Sequence, residues 1–284
     1  MNKVKLLGAM SIFGTVGIFV RYIPLPSATI AFCRGVIGVV FLLLLMLLTK
    51  KKPDFAAIRK NLLLLCCSGA AIGINWILLF EAYRYTTVAT ATICYYLAPL
   101  FLVLASPLLG EKLTAKKLVC IGIAMAGMVF VSGVLTGGMG GFAGILLGVS
   151  AAIFYASVNV MNKKLSPIGA YDKTVIQLLA ASLVILPYLL ATGGLAFPAM
   201  ESVSWVLLAV VGIAHTGIAY ALYFGSIKDL SAQTVAIFSY LDPVLSILLS
   251  ALILRENMDV YTVIGAVLIL GSALYSELPE RKKV

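Results

Sequence analysis

Three ionisable side chains stand in stretches of this chain that are otherwise apolar. Asp242 lies in FSYLDPVLSILL, residues 238–249, His215 is the single histidine of the chain, and Arg34 sits in AFCRG. Inside a membrane such groups cost about 2.5 to 3.5 kcal/mol on insertion scales, so they ordinarily face a cavity or a partner. A carboxyl and an imidazole brought to one depth can bind and release a proton, or grip the amino group of a solute. A guanidinium facing a cavity supplies a planar fork for a carboxylate, which favours amino acids or organic acids.

The composition supplies the membrane. Of 284 residues, 62% are hydrophobic and 11% charged, against roughly 25% charged residues in an ordinary soluble domain. The expected fold class is an all-α polytopic membrane protein with ten transmembrane helices. The apolar spans fall near 4–22, 28–48, 62–83, 87–109, 118–135, 141–161, 174–192, 205–224, 231–254 and 260–277. MNKVKLLGAMSIFGTVGIFV has the basic start and apolar core of a signal peptide, but no small-x-small cleavage site follows, and it is read as the first span.

The net charge of +10 does not point to nucleic acid, because the basic residues are distributed among the loops. With the N-terminus inside, the inner segments hold Lys3, Lys5, Lys50, Lys51, Lys52, Arg59, Lys60, Lys112, Lys116, Lys117, Lys163, Lys164, Lys173, Lys228, Arg281, Lys282 and Lys283. Outside remain Arg21, Arg84 and Arg255. That bias places both termini in the cytoplasm. The cysteines, Cys33, Cys66, Cys67, Cys94 and Cys120, lie in or beside spans without metal-ligand spacing and are read as packing residues, so no metal and no cofactor are expected.

Depth along each span sorts the polar residues. Asp242 lies roughly 16 Å past Ser231 and His215 roughly 15 Å past Trp205, about the middle of a core ~30 Å thick. The pair is therefore a candidate proton-coupling site, or else a hydrogen-bonded contact that fixes helix packing. Arg34 and Glu81 lie at depths that permit a salt bridge in the outer half, the alternative to an arginine that holds solute. Pro99 and Pro243 each remove an N–H and free the carbonyl four residues back, at Tyr95 and Ser239. They are read as kinks, either static or used in gating. Asn75, Trp76, Tyr96 and Tyr240 add polar or amphipathic tips that suit a pocket for a small solute.

A shift of 144 residues lays Thr90–Leu108 over Thr234–Leu252 with eight identities in nineteen positions, among them the shared Tyr-Leu-x-Pro of Tyr96–Pro99 and Tyr240–Pro243. GEKL at 110–113 is echoed by RENM at 255–258 with a one-residue slip. The repeat unit is thus five spans, and an odd number inverts the second copy, an arrangement that places a solute site near the midplane between the halves. The expected domains are 1–137 and 141–278, followed by a basic cytoplasmic tail at 279–284. The linker TGGMGG, 136–141, is flexible and uncharged.

The two proline phrases, Gly110-Glu111, Arg34 in AFCRG and the duplicated ten-span plan resemble the EamA-type branch of the drug/metabolite transporter superfamily over essentially the whole chain. Phe13-Gly14 departs from the Trp-Gly of many members. The resemblance implies secondary transport, often export, of amino acids and other small metabolites. It also implies a cavity walled by spans 3, 4, 8 and 9, which favours Trp76, Tyr96 and Tyr240 as solute contacts. The expected partners are a small-molecule metabolite, membrane lipid and protons, the working unit a monomer, and the location the inner or plasma membrane. An uncoupled facilitator of the same fold is the alternative in mechanism, and a membrane scaffold the alternative in class. An enzyme is not expected, since the chain has one histidine, no HExxH, no GxSxG and no GxxxxGK[ST].

Overall fold

A computed structural model describes residues 2–110, 114–131, 141–195, 197–227 and 238–278. Among these residues the secondary structure is helical throughout, without a strand. The elements are α1 (Asn2–Arg21), α2 (Ser27–Leu48), α3 (Phe55–Tyr85), α4 (Val88–Tyr95), α5 (Ala98–Leu104), α6 (Ala115–Val131), α7 (Phe142–Lys163), α8 (Ala170–Thr192), α9 (Ser202–Gly212), a π-helical turn (Ile213–Ile218), α10 (Ala219–Ile227), α11 (Leu241–Ile253) and α12 (Val260–Glu277). Six helical stretches are long and apolar enough to cross a membrane, with α9, the π-turn and the start of α10 forming one of them, and shorter apolar helices accompany them.

Side-chain caps set several of the ends. Asp54 accepts from the N–H of Ala57 at the start of α3, Thr87 from that of Thr90 at the start of α4, and Asp259 from that of Thr262 at the start of α12. Gly193 ends α8 in the left-handed region, with φ of 70°. The 31 residues of α3 reach about 46 Å at 1.5 Å per residue, so its first turns, carrying Arg59 and Lys60, lie beyond a ~30 Å core.

The bundle is apolar outside and buries polar side chains among the apolar ones of its core. Val40, Leu43, Leu44 and Leu47 of α2 are exposed, and so are Leu183, Val184 and Leu190 of α8. Ser68, Asn75, Gln177, Ser182, Thr216 and Ser246 are buried. Without water to drive apolar faces together, close van der Waals approach and interhelical hydrogen bonds hold such a bundle. The spacing of Gly69 and Gly73 serves this purpose: a Cβ at Gly69 would lie 2.6 Å from Cβ of Ala180, and one at Gly73 3.0 Å from the Ala181 carbonyl, so α3 and α8 meet with no side chain between them. Gln177 then donates to Ser68 and to Asn162, each at 2.7 Å, and ties α8 to α3 and α7.

The helices pair in a definite pattern. α3 packs on α7 and α8, α2 on α8 and the π-turn, and α1 on α10 and α11. α4 and α5 lie on α7, α4 also on α11, and α6 on α12.

The prolines act differently from the expectation. The fourth span is interrupted at Tyr96–Leu97, between α4 and α5, and Pro99 occupies the first turn of α5. There its missing N–H would lack an intrahelical partner in any case, so it begins a helix rather than kinking one. Pro243 likewise falls in the first turn of α11, where Asp242 precedes it. The linker at 136–140, Glu111, the beginning of the ninth span through 237 and the tail at 279–284 lie outside the described residues.

Candidate functional site

The π-helical turn carries two consecutive polar residues toward two different helices. An inserted residue widens the turn and locally re-aims the side chains around it. Thr216 Oγ1 lies 3.2 Å from the Val211 carbonyl and accepts from Nε of Arg34 at 2.9 Å. His215 Nε2 lies 2.8 Å from Oγ1 of Thr15 on α1, and its Nδ1 lies 3.3 Å from the Val210 carbonyl. A carbonyl can only accept, so a neutral ring with its proton on Nδ1 donates to Val210 and accepts at Nε2 from the Thr15 hydroxyl, while the other tautomer donates from Nε2 to that hydroxyl's oxygen. That hydroxyl is also 2.7 Å from the Ile12 carbonyl and can serve one acceptor at a time.

His215 therefore does not pair with Asp242. It is 1% exposed, bonded to α1 and flanked edge-on by Phe19 at 5.0 Å. Equal depth does not imply a shared face, and the π-turn directs the imidazole at α1.

Asp242 is positioned from both sides. Gly14 of α1 lies against it so closely that a Cβ there would be 2.7 Å from the Asp242 carbonyl and 2.9 Å from Cβ of Leu245. The polar neighbour of its carboxyl is the Tyr96 hydroxyl from the α4–α5 break. Tyr96 and Tyr240 face each other with ring centroids 6.3 Å apart, Tyr95 abuts Tyr96 at 5.9 Å, and Tyr155 of α7 joins Tyr95 at 5.4 Å. Tyr155 keeps 41% of its surface open.

Arg34 is 5% exposed. Its guanidinium lies over Trp76 at 4.2 Å and Phe80 at 5.5 Å, a cation–π arrangement that offsets part of its desolvation. It does not bridge to Glu81. Glu81 accepts instead from Ser27 Oγ at 2.5 Å, which ties the start of α2 to α3, and among the described residues no carboxylate pairs with Arg34. Tyr83, Tyr95 and Tyr220 are its electrostatic neighbours, and Tyr83 and Tyr95 are also electrostatic neighbours of Asp242.

Of the residues the sequence singles out, Arg34 and Trp76 form one group, and Tyr96, Tyr240 and Asp242, with Pro99 and Pro243 nearby, form another. Asn75 belongs to neither: it donates to the Ala151 carbonyl at 2.6 Å and links α3 to α7. Thr15 and Thr216 enter the site without a sequence signal, since a lone threonine in a span carries no spacing rule, and Tyr83, whose place near a helix end reads as an interfacial anchor, is instead buried. Among the described residues no group of three His, Cys, Asp or Glu side chains is arranged to hold a metal. An apolar cleft of about 270 Å³ between α2 and α9 is lined by Phe32, Val36, Trp205 and Leu208 and by none of these polar residues.

An all-helical bundle with an apolar exterior, an arginine buried among aromatic rings and six helices long enough to cross a membrane defines a multi-pass membrane protein. Its residues 4–133 and 142–276 match the model of the EamA-like transporter family, and the chain belongs to that family. It is accordingly a transporter and not an enzyme. It is 31% identical over 278 residues to the uncharacterized transporter YxxF of Bacillus subtilis (strain 168), covering 95% of this chain and 88% of the relative. An uncharacterized transporter of Clostridium kluyveri is 29% identical over 212 residues, 72% of this chain and 68% of its own length. A solved crystal structure aligns with 97% of this chain and 96% of its own at a TM-score of 0.68 and 21% identity, which bears on the fold alone.

Proposed function

We propose that this EamA-like transporter is a secondary active exporter of amino acids or related small metabolites, working by alternating access at a cavity near the midplane. The cavity lies between two inverted five-helix repeats, 1–137 and 141–278, within a ten-span monomer whose termini are both cytoplasmic in the cell membrane. Export is the direction the family resemblance implies.

The packing supports the duplication. Numbering the spans in order, α3 on α7 corresponds to α10 on α1, and α3 on α8 to the π-turn on α2. α1 on α11 corresponds to α7 on α4 and α5, while α6 on α12 maps onto itself. The echo of GEKL in RENM has a backbone counterpart, since Gly110 and Arg255 both adopt positive φ, 75° and 52°.

One observation carries the functional reading: Arg34, buried, and Asp242, half-buried, a base and an acid in the two proposed halves, each face uncharged side chains instead of one another. A scaffold would gain nothing from two such groups, whereas a solute or a proton gives each a transient partner. Asp242 serves as the proton-coupling group, with His215 on the α1 side as the second candidate. The test is accumulation of a radiolabelled amino-acid panel by proteoliposomes with and without an imposed pH gradient. Gradient-driven accumulation is expected, and accumulation indifferent to the gradient would leave an uncoupled facilitator.

A further inference from the structure

A guanidinium carries five N–H donors, and Arg34 uses one of them in a described hydrogen bond, from Nε to Thr216. Nη1 and Nη2 have no acceptor among the described residues, and neither is among the side-chain atoms sealed from a water-sized probe without a partner. The residue as a whole is 5% exposed. Burying a cation this deeply without an acid is unfavourable unless a ligand completes it.

The surroundings fix which edge is open. The Trp76 and Phe80 rings flank the guanidinium plane, Thr216 occupies the Nε side, and Glu81, the nearby acid in sequence terms, is bonded to Ser27. What remains is the Nη1–Nη2 edge, which matches the two oxygens of a carboxylate. We infer that Arg34 is the carboxylate subsite of the transported solute, pairing end-on with a monocarboxylate whose body lies against Trp76 and the neighbouring tyrosines.

The charge inventory selects a monoanionic group over a phosphate. Among the described residues Arg34 is the one buried arginine, and half-buried Asp242 is an acid that shares Tyr83 and Tyr95 with it as electrostatic neighbours. A phosphate ester or dicarboxylate would bring two negative charges to one cation and an acid, while an amino acid, with its carboxylate toward Arg34 and its ammonium toward Asp242, leaves the site neutral, and a simple monocarboxylate does so with Asp242 protonated.

This inference rests on the transport reading, and its test separates the two. Trp76 lies 4.2 Å from the guanidinium, and the chain has two tryptophans, so Trp205→Phe leaves a single reporter at the subsite. Its emission is titrated with L-leucine against 3-methylbutylamine, L-phenylalanine against phenethylamine, 3-phenylpropionate alone, and inorganic phosphate. Compounds that retain the carboxylate should perturb Trp76 saturably and bind about tenfold or more tightly than their matched amines, and Arg34→Lys should weaken them by about tenfold or more while leaving the amines unchanged. Equal binding of acids and amines, preference for phosphate, or silence of every acid overturns the subsite, and these comparisons hold on the Trp205→Phe protein even if an Arg34 variant fails to fold. Accumulation of the same compounds by proteoliposomes is scored separately. Amines accumulated without carboxylate preference would sink the subsite and keep the transporter; acids bound at Trp76 but never accumulated would do the reverse.

Discussion

The rings of Tyr96 and Tyr240 meet at 6.3 Å, and each residue stands at a helical turn that starts a new helix, with φ and ψ of −75° and 9° for Tyr96 and −73° and −7° for Tyr240. In the proposed duplication they are equivalent, and equivalent residues touch only near the axis relating the copies. Two positions further on the copies differ, with Ala98 in one and Asp242 in the other. Since Tyr96 meets Asp242 across this axis, the carboxyl is an asymmetric addition to a symmetric frame.

Asp242→Asn should therefore abolish gradient-driven accumulation while leaving solute exchange between loaded and unloaded vesicles. The amide keeps the size of the side chain and an acceptor for Tyr96 but cannot take up or release a proton at working pH. Counterflow and pH-jump uptake measured on one preparation give the two readouts. Loss of both together would mark Asp242 as a packing residue.

His215 and Asp242 share no described partner, one bonding Thr15 and the Val210 carbonyl and the other facing Tyr96. The stability costs of His215→Gln and Asp242→Asn should then add to within about 0.5 kcal/mol. Unfolding in mixed micelles for the two single variants and the double variant checks this. A coupling well above that figure would restore the direct pair.

This contrast shows what the sequence made legible. Rise per residue converts position into depth, so apolar helices of spanning length could be counted off, and Asp242 and His215 assigned one expected level. The azimuth of a side chain could not be counted off. A span apolar on every side has no amphipathic stripe to orient it, and the π-turn at Ile213–Ile218 shifts the register just where His215 sits. The same limit explains Arg34 and Glu81, matched by depth yet bound to Thr216 and Ser27. Pro99 was readable as an interruption, but whether proline bends a helix or begins one depends on the preceding φ and ψ, which Tyr96 and Leu97 set.

Gly14 fixes the approach of α1 to α11. Gly14→Val would drive a branched side chain into the Asp242 backbone, with its Cβ 2.7 Å from that carbonyl oxygen. Backbone on a packed helix cannot rotate aside as a side-chain tip can, and overpacking of this kind costs about 1–3 kcal/mol. The variant should unfold at lower temperature and lose transport, and Leu245→Ala in the same chain should not rescue it, because the closest contact is the Asp242 carbonyl. Recovery of the wild-type melting temperature in that double variant would place the clash at Leu245 instead.

Glu256 ties the far end of α11 to the start of α4. After the turn at Arg255, its carboxylate accepts from the Val88 N–H at 2.9 and 3.1 Å and from the Ala89 N–H at 3.5 Å, and Ser250 donates to it as well. An anion at a helix N-terminus satisfies donors that have no partner within the helix and complements its dipole. Glu256→Ala removes these bonds and should cost about 1–2 kcal/mol, with Glu256→Gln, which keeps one carbonyl acceptor, in between. Because the bond ties the start of α4 to the end of α11, which the proposed topology puts on the outer side, its loss should also free these two ends to part. Ala91, fully buried one turn inside the start of α4, can be replaced by cysteine after the five native cysteines are removed. An impermeant maleimide applied from outside should then label Ala91→Cys faster with Glu256→Ala than with Glu256 intact. Unchanged labelling beside a lowered melting temperature would make Glu256 a cap for α4 with no part in closing the outer side.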